Sequence, residues 1–135
     1  MNLNLPPGGT VLGVGCDVIE VARVRRVLDH QGERFLQRVF TEEERAYCLA
    51  KAHPDKHLAA RFAAKEAVAK CFTTGIGADL GWKSASIHHG ERQEPLVRFD
   101  EKGLDLLKRT GATHVLVTLS HTETVAMAVA ILVRA

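Results

Sequence analysis

Arg61-Phe-Ala-Ala-Lys65-Glu66-Ala-Val-Ala-Lys70-Cys71 carries three cations and one carboxylate on a segment otherwise made of alanine and a few larger apolar residues. At 3.6 residues per turn, Arg61 and Lys65 share one helical face, and Glu66 and Lys70 share the adjoining one. A solvated helix would scatter its charges outward from one broad apolar stripe of leucines, which this segment lacks. The pattern predicts charges that face a ligand, and a phosphate with a metal ion is the ligand that fits. The six alanines between Ala59 and Ala69 let other backbones come close.

Asp17 offers a second carboxylate. It lies near the end of an otherwise apolar segment, where burying a charge without a cation or a donor is costly. Gly13 and Gly15 share its side of an alternating strand and leave space above it. Two carboxylates that keep several waters and leave positions for phosphate oxygens suit Mg2+, whereas zinc takes histidine or thiolate. Plainer readings stand beside these. Asp17 or Glu20 can cap the helix that follows, and Glu66 can form an i,i+4 salt bridge to Lys70 worth about 0.3 kcal/mol.

His53 and His57 have the spacing of a zinc pair, but Pro54 argues against a continuous helix through both. His88 and His89 point to opposite sides of a strand. His121 falls at a turn between two β-prone segments, where its side chain can project into a cleft or bond nearby backbone. Gly13-Val14-Gly15 is no dinucleotide fingerprint, since Val18 stands where the third glycine belongs. No G-x-x-x-x-G-K sequence makes a phosphate loop of Thr73 to Gly77 either.

The elements that must position these residues follow from periodicity. Residues 11–21 read as a strand, with Leu12, Val14, Cys16 and Val18 on one face and Gly13, Gly15 and Asp17 on the other. From Glu20 to Gln31 the period turns helical through Val21, Val24, Val27 and Leu28, with Arg23, Arg25 and Arg26 outside that stripe and Gly32 as terminator. Thr41-Glu-Glu-Glu44 is a capping box opening a helix to about Ala52, which Pro54 breaks. A polar loop from His53 to His57 leads into the alanine-rich helix, which runs to about Phe72 and leaves through Thr73 to Gly77. Strands are predicted at 84–89 and 95–99 around a Gly90-to-Glu94 turn. Asp100 caps a helix through Leu104, Leu107 and Thr110 that Gly111 closes, and residues 113–121 and 124–134 form a β-prone pair. The result is a compact α+β protein, one domain over residues 1–135 with 1–10 as a flexible lead-in.

Its 135 residues can bury about two thirds of the surface the unfolded chain exposes, so no disulfide is needed for folding. A net charge of +2 is too small for a protein that coats nucleic acid. Cys16, Cys48 and Cys71 are odd in number and without C-x-x-C spacing, so neither a disulfide framework nor a zinc ribbon is indicated, and a reducing cytoplasm is favoured. The N-terminus has no basic region and no apolar stretch of signal-peptide length, and the longest apolar run, Val125 to Val133, suits a buried strand and not a membrane span.

Gly13-Val-Gly-Cys-Asp17-Val-Ile-Glu20, Arg38-Val-Phe-Thr41-x-x-Glu44, Arg61-Phe-Ala-Ala-Lys65-Glu66-Ala-Val-Ala-Lys70, Thr74-Gly-Ile-Gly77 and Ser120-His121-Thr122 occur in that order. Together they resemble the short holo-acyl-carrier-protein synthases, a family of 4′-phosphopantetheinyl transferases, from about residue 11 to 134. The resemblance implies that family's fold, mostly antiparallel sheet packed against helices, and a homotrimer with active sites between subunits. It implies transfer of phosphopantetheine from coenzyme A to a serine of apo acyl carrier protein, with Mg2+ on Asp17 and Glu66. Because the sites lie between subunits, those two acids need not converge within one chain, and the strand and helix would be shared across an interface. Lys70 becomes the main cation for the pyrophosphate. By similarity His121 contacts phosphate or pantetheine, with Arg61, Lys65 and Thr122 assisting and Lys56 and His57 as weaker candidates for the 3′-phosphate. Glu66 is the first candidate base for the attacking serine and His121 the second. Arg23, Arg25 and Arg26 fit an acidic partner helix, or a solvated face.

One departure stands out: Gln93-Glu94-Pro95 replaces the Gly-Lys-Pro that many family members carry, which puts nucleotide contacts from that loop in question. Two other functions remain compatible with the residues. One is a metal-dependent hydrolase of a nucleotide pyrophosphate; the other is a non-enzymatic trimeric binder of an acidic helical partner.

Overall fold

The computed structural model describes residues 7–135, so most of the lead-in lies outside the described residues. Its last residue, Thr10, already belongs to the first strand. In chain order the elements are β1 (Thr10–Glu20), α1 (Val21–Gln31), α2 (Glu33–Val39), α3 (Glu42–Leu49), α4 (Pro54–Cys71), β2 (Ala85–His89), β3 (Pro95–Phe99), α5 (Glu101–Arg109), β4 (His114–His121) and β5 (Val125–Arg134). A three-stranded antiparallel sheet has the order β1-β5-β4, and β2 pairs antiparallel with β3. The expected α+β class with antiparallel sheet is what the chain adopts.

Helix α4 lies across one face of the three-stranded sheet. Ala59, Ala60, Ala63, Ala64, Ala67 and Ala69 are all buried, together with Leu58 and Val68. Buried Arg61 and Lys65 among them show that even part of the helix's charged surface lies in the interior. The sheet meets it with equally small residues, Ala126, Ala128 and Ala130 of β5. Gly13 and Gly15 complete the fit: a Cβ on Gly13 would stand 2.1 Å from the Cys71 carbonyl oxygen, and one on Gly15 would stand 2.1 Å from that of Ala67. The space above the glycines, expected for a ligand, is filled by the backbone of α4. The alanines admit the chain's own sheet.

The alternation of β1 was read in the right register, but the helix-facing side is the glycine side. Val14 and Val18 are 62% and 63% exposed. Register places Val14 opposite Ile131 and Val18 opposite Met127 on β5, and Ile131 opposite Leu116 on β4, so one apolar face of the sheet points away from α4.

Three element boundaries differ from expectation. Pro54 begins α4, where its missing N–H costs nothing, and so the expected 53–57 loop is mostly helix. α3 stops at Leu49, and the segment after Gly32 forms the extra helix α2, whose Phe35, Leu36 and Val39 are buried. The caps formed as read: the Thr41 amide donates to Glu44 Oε1 at 2.9 Å while Thr41 Oγ1 accepts from the Glu44 amide, and Asp100 accepts from the Gly103 amide. Among the described residues no helix is long and apolar enough to cross a membrane.

Candidate functional site

Strand β1 delivers Asp17 on the side that faces α4, and the last two turns of α4 deliver Glu66 and Lys70. Lys70 Nζ donates to Asp17 Oδ1 at 3.0 Å and to the Cys16 carbonyl at 3.0 Å. Lys70 thus reaches across to β1 instead of along its own helix. Burial pushes the Glu66 carboxyl up, and the neighbouring Asp17 charge adds to the effect, opposed by Lys70 and Arg23. The hydrogen bond to Asp17 raises the Lys70 ammonium. A partly buried Glu66 carboxyl held up by burial and by the Asp17 charge beside it is what a divalent cation relieves, and hard oxygen ligands of this kind fit Mg2+. The two acids were not expected to need one chain, yet here they meet within it. The reason is that α4 lies flat on its own β1.

A second group of residues forms at the other end of α4. Tyr47, His57, Arg61, His89 and His121 line a cavity of about 330 Å³ with Ala60, Leu119 and Ser120. Arg61 is 2% exposed, and its guanidinium lies 4.2 Å from the centre of the Tyr47 ring and meets His89 Nε2. Its Nε is buried with no hydrogen-bond partner among the described residues. A buried cation with an unsatisfied donor, ringed by imidazoles, is a preformed place for an anion. The His57 and His121 rings meet edge to face with centroids 5.2 Å apart. Burial lowers the His57 imidazole, and His121, Arg61, Lys51 and Lys56 lower it further.

The structure does not bring every candidate to these two places. Lys65 is wholly interior: its Nζ lies 2.7 Å from Glu44 Oε1 and donates to the carbonyls of Trp82 and Ala85, each at 2.9 Å. An ammonium has three donors, so Lys65 has none left for coenzyme A. Thr122 is a turn residue; its Oγ1 accepts from the amides of Thr124 and Val125 and donates to the Val125 carbonyl, which occupies the hydroxyl expected to assist at phosphate. Lys56 pairs with Glu123, and Arg25 pairs with Asp55 although it remains 57% exposed. Arg23 and Arg26 are exposed on α1, and Arg23 lies near enough to Glu66 to lower its carboxyl.

Tyr47 and His89 were missed. They stack with centroids 4.6 Å apart, one from α3 and one from β2, and no local spacing links positions 42 residues apart. Their only trace in the sequence was that His89 had to point away from His88. Lys70 and His57 are thirteen residues apart on α4, about 20 Å along its axis. The carboxylate pair and the cationic cavity thus occupy successive stretches of one helix, their nearest members, Glu66 and Arg61, being five residues or about 7.5 Å apart along it.

The family model described as the 4′-phosphopantetheinyl transferase superfamily matches residues 13–130. A protein of Chlamydia trachomatis serovar L2 named holo-[acyl-carrier-protein] synthase is 48% identical over 121 residues, covering 90% of this chain and 98% of that one. A protein of the same name from Pectobacterium carotovorum is 40% identical over 82% of this chain and 87% of its own. Among solved structures, the holo-[acyl-carrier-protein] synthase of Neisseria meningitidis superposes with a TM-score of 0.86 at 28% identity, over 91% of this chain and 98% of that one. The enzyme of the same name from Bacillus anthracis, in complex with CoA (3′,5′-ADP), gives 0.77 at 28% identity over 93% and 98%.

Proposed function

The chain belongs to the 4′-phosphopantetheinyl transferase superfamily, and from that premise we propose how its residues divide the family's reaction. The enzyme transfers the 4′-phosphopantetheine group of coenzyme A to a serine of apo acyl carrier protein and releases adenosine 3′,5′-bisphosphate. Asp17 and Glu66 hold Mg2+, which supplies charge neutralisation at the pyrophosphate. The observation that carries this assignment is the meeting of Asp17, Glu66 and Lys70 at one point of the sheet.

Glu66 accepts the proton of the serine hydroxyl, whose oxygen then forms a bond to the phosphorus bearing the pantetheine arm. The bond from that phosphorus to the bridging oxygen breaks, and adenosine 3′,5′-bisphosphate leaves with the electron pair. Lys70 opposes the charge that gathers on the leaving phosphate. His121 is the less suitable base, because it stands with His57 and Arg61 in surroundings that favour an anion. That cavity holds phosphate of the nucleotide, with Arg61 as its charged wall, His57 as an imidazole that takes up a proton when the phosphate binds, and Tyr47 and His89 as its packing.

The outward sheet face of Val14, Val18 and Met127 is exposed and has no cover among the described residues. This observation supports a homotrimer, in which the carboxylate pair of one subunit meets the cationic cavity of the next. The exposed Arg23, which borders the carboxylate side, and Arg26 on the same helix steer the acidic carrier. The three free thiols suit a cytoplasmic enzyme, two of them pushed up by burial to about 11 (Cys48) and about 12 (Cys71). The test is incubation of the protein with coenzyme A, Mg2+ and apo carrier protein, followed by mass measurement. One added phosphopantetheine that disappears with Asp17→Ala supports the assignment, and full turnover by Asp17→Ala would sink it.

A further inference from the structure

A buried polar ladder joins α3, α4 and β2, and the reaction described above leaves half of it unused. Its lower rung is Tyr47, Arg61 and His89, part of the anion cavity. The upper rung lies one turn away on both helices: Glu44 of α3, Lys65 of α4 and the Ile87 amide of β2. Glu44 Oε1 accepts from Lys65 Nζ at 2.7 Å and from the Thr41 amide at 2.9 Å, while Oε2 accepts from the Ile87 amide at 2.9 Å. Lys65 completes its donors on the Trp82 and Ala85 carbonyls. The side chains are 0% and 1% exposed.

Such a pair is a poor source of net stability, because the desolvation of both charges offsets most of their attraction; two apolar side chains would fill the space at no loss. What the pair does provide is geometry. Lys65 reaches three acceptors on two different segments, α3 and the chain from Trp82 to Ala85, and these admit one rotation of α4 about its axis. Glu66 is the next residue. At a side-chain radius of about 5–6 Å, turning the helix by about 20° moves the Glu66 carboxylate by about 2 Å. Metal ligands tolerate only about 0.2 Å.

We propose that Glu44 and Lys65 are positioning residues that fix the rotation of α4, so that Glu66 faces Asp17 at the spacing a divalent cation requires. The proposal rests on the reading of Asp17 and Glu66 as metal ligands. Arg61 has its own anchors in Tyr47 and His89 and keeps its place when the upper rung is changed.

The probe is Mn2+, whose binding is followed by the electron paramagnetic resonance of the unbound ion. The test protein is the doubly neutral Glu44→Gln/Lys65→Met variant. We expect a folded protein by circular dichroism, Mn2+ affinity at least fivefold weaker, kcat lower by a similar factor and KM for coenzyme A within twofold of the parent. A role in packing alone would move the melting midpoint and leave Mn2+ affinity within twofold, which overturns the proposal. Should the double variant not fold, Glu44→Asp decides, since it keeps the charge and shortens the arm; unchanged Mn2+ affinity there overturns the proposal equally. Asp17→Ala is the separate control. If it binds Mn2+ as the parent does, the metal reading itself fails, whatever the ladder does.

Discussion

Lys70 Nζ and Asp17 Oδ1 lie 3.0 Å apart although the two residues are separated by 53 positions in the chain, and this ion pair ties the last turn of α4 to β1. It exists only because Gly13 and Gly15 let the helix backbone rest on the strand. The same approach brings Glu66 beside Asp17 and raises its carboxyl. Packing and electrostatics of the carboxylate site thus have one origin.

Glu66 gives the first prediction. Its folded-state value lies above the ordinary 4.5, so the native protein holds that proton more tightly than the unfolded chain does. Stability is then lost as pH rises from 4.5 through the raised value. In chelator at neutral pH, Glu66→Gln should melt at a higher temperature than the parent, and the difference should close below the ordinary carboxylate value. Excess Mg2+ should reverse the order, because only the parent offers both ligands. Turnover of the variant should fall about 100-fold or more. Equal melting points in chelator would show that burial and Asp17 place no such burden on Glu66.

The glycine contact gives a second. In Gly15→Ala the new methyl would lie 2.1 Å from the Ala67 oxygen and 2.6 Å from the Cys71 nitrogen, both of them backbone of one rigid helix. Urea unfolding should register a loss of about 3 kcal/mol, at the upper end for overpacking. Gly77 has nothing within 4 Å, and Gly77→Ala should stay within about 0.5 kcal/mol of the parent.

His57 gives a third. Its folded value is lowered from 6.5 by burial and by the cations around it, so the native protein keeps it neutral where the unfolded chain would protonate it, and stability is lost as pH falls below 6.5. A bound phosphate reverses the local field and draws the proton back. Calorimetric titration with adenosine 3′,5′-bisphosphate in buffers of different ionisation enthalpy should report proton uptake near the ordinary histidine value. His57→Asn should abolish that uptake. Binding without any buffer dependence would remove His57 from the phosphate's surroundings.

What the sequence made legible was chiefly local. The Thr41–Glu44 capping box, the Asp100 cap, the β2–β3 hairpin and the alanine-rich helix all rest on contacts within a few residues, and each formed. Asp17, Glu66 and Lys70 stood out because a charge in an apolar setting is visible in one dimension. Which cations look inward was not. Arg61 and Lys65 share a helical face, yet Lys65 ends in the interior on Glu44 and Arg61 ends on Tyr47 and His89, partners brought by α3 and β2. Which face of β1 packs has the same cause: alternation separates the two faces, but only the close approach of α4 makes the glycine side the buried one.

The outward face of the sheet gives the last prediction. Met127 lies on the outward face, on the middle strand between Val18 and Ser120, and is 42% exposed in the single chain. An aspartate there meets water if the chain stands alone and an apolar neighbour if three copies pack face to face, where burying an unpaired carboxylate costs several kcal/mol. Met127→Asp should therefore keep its circular dichroism spectrum, sediment as a smaller species than the parent and lose at least about 100-fold in turnover. Its Mn2+ affinity should suffer much less, because Asp17 and Glu66 come from one chain while the cationic cavity that completes the site comes from the next. A monomer that turns over at the parent rate would place the whole active site within one chain, and an intact trimer would take this face out of the interface.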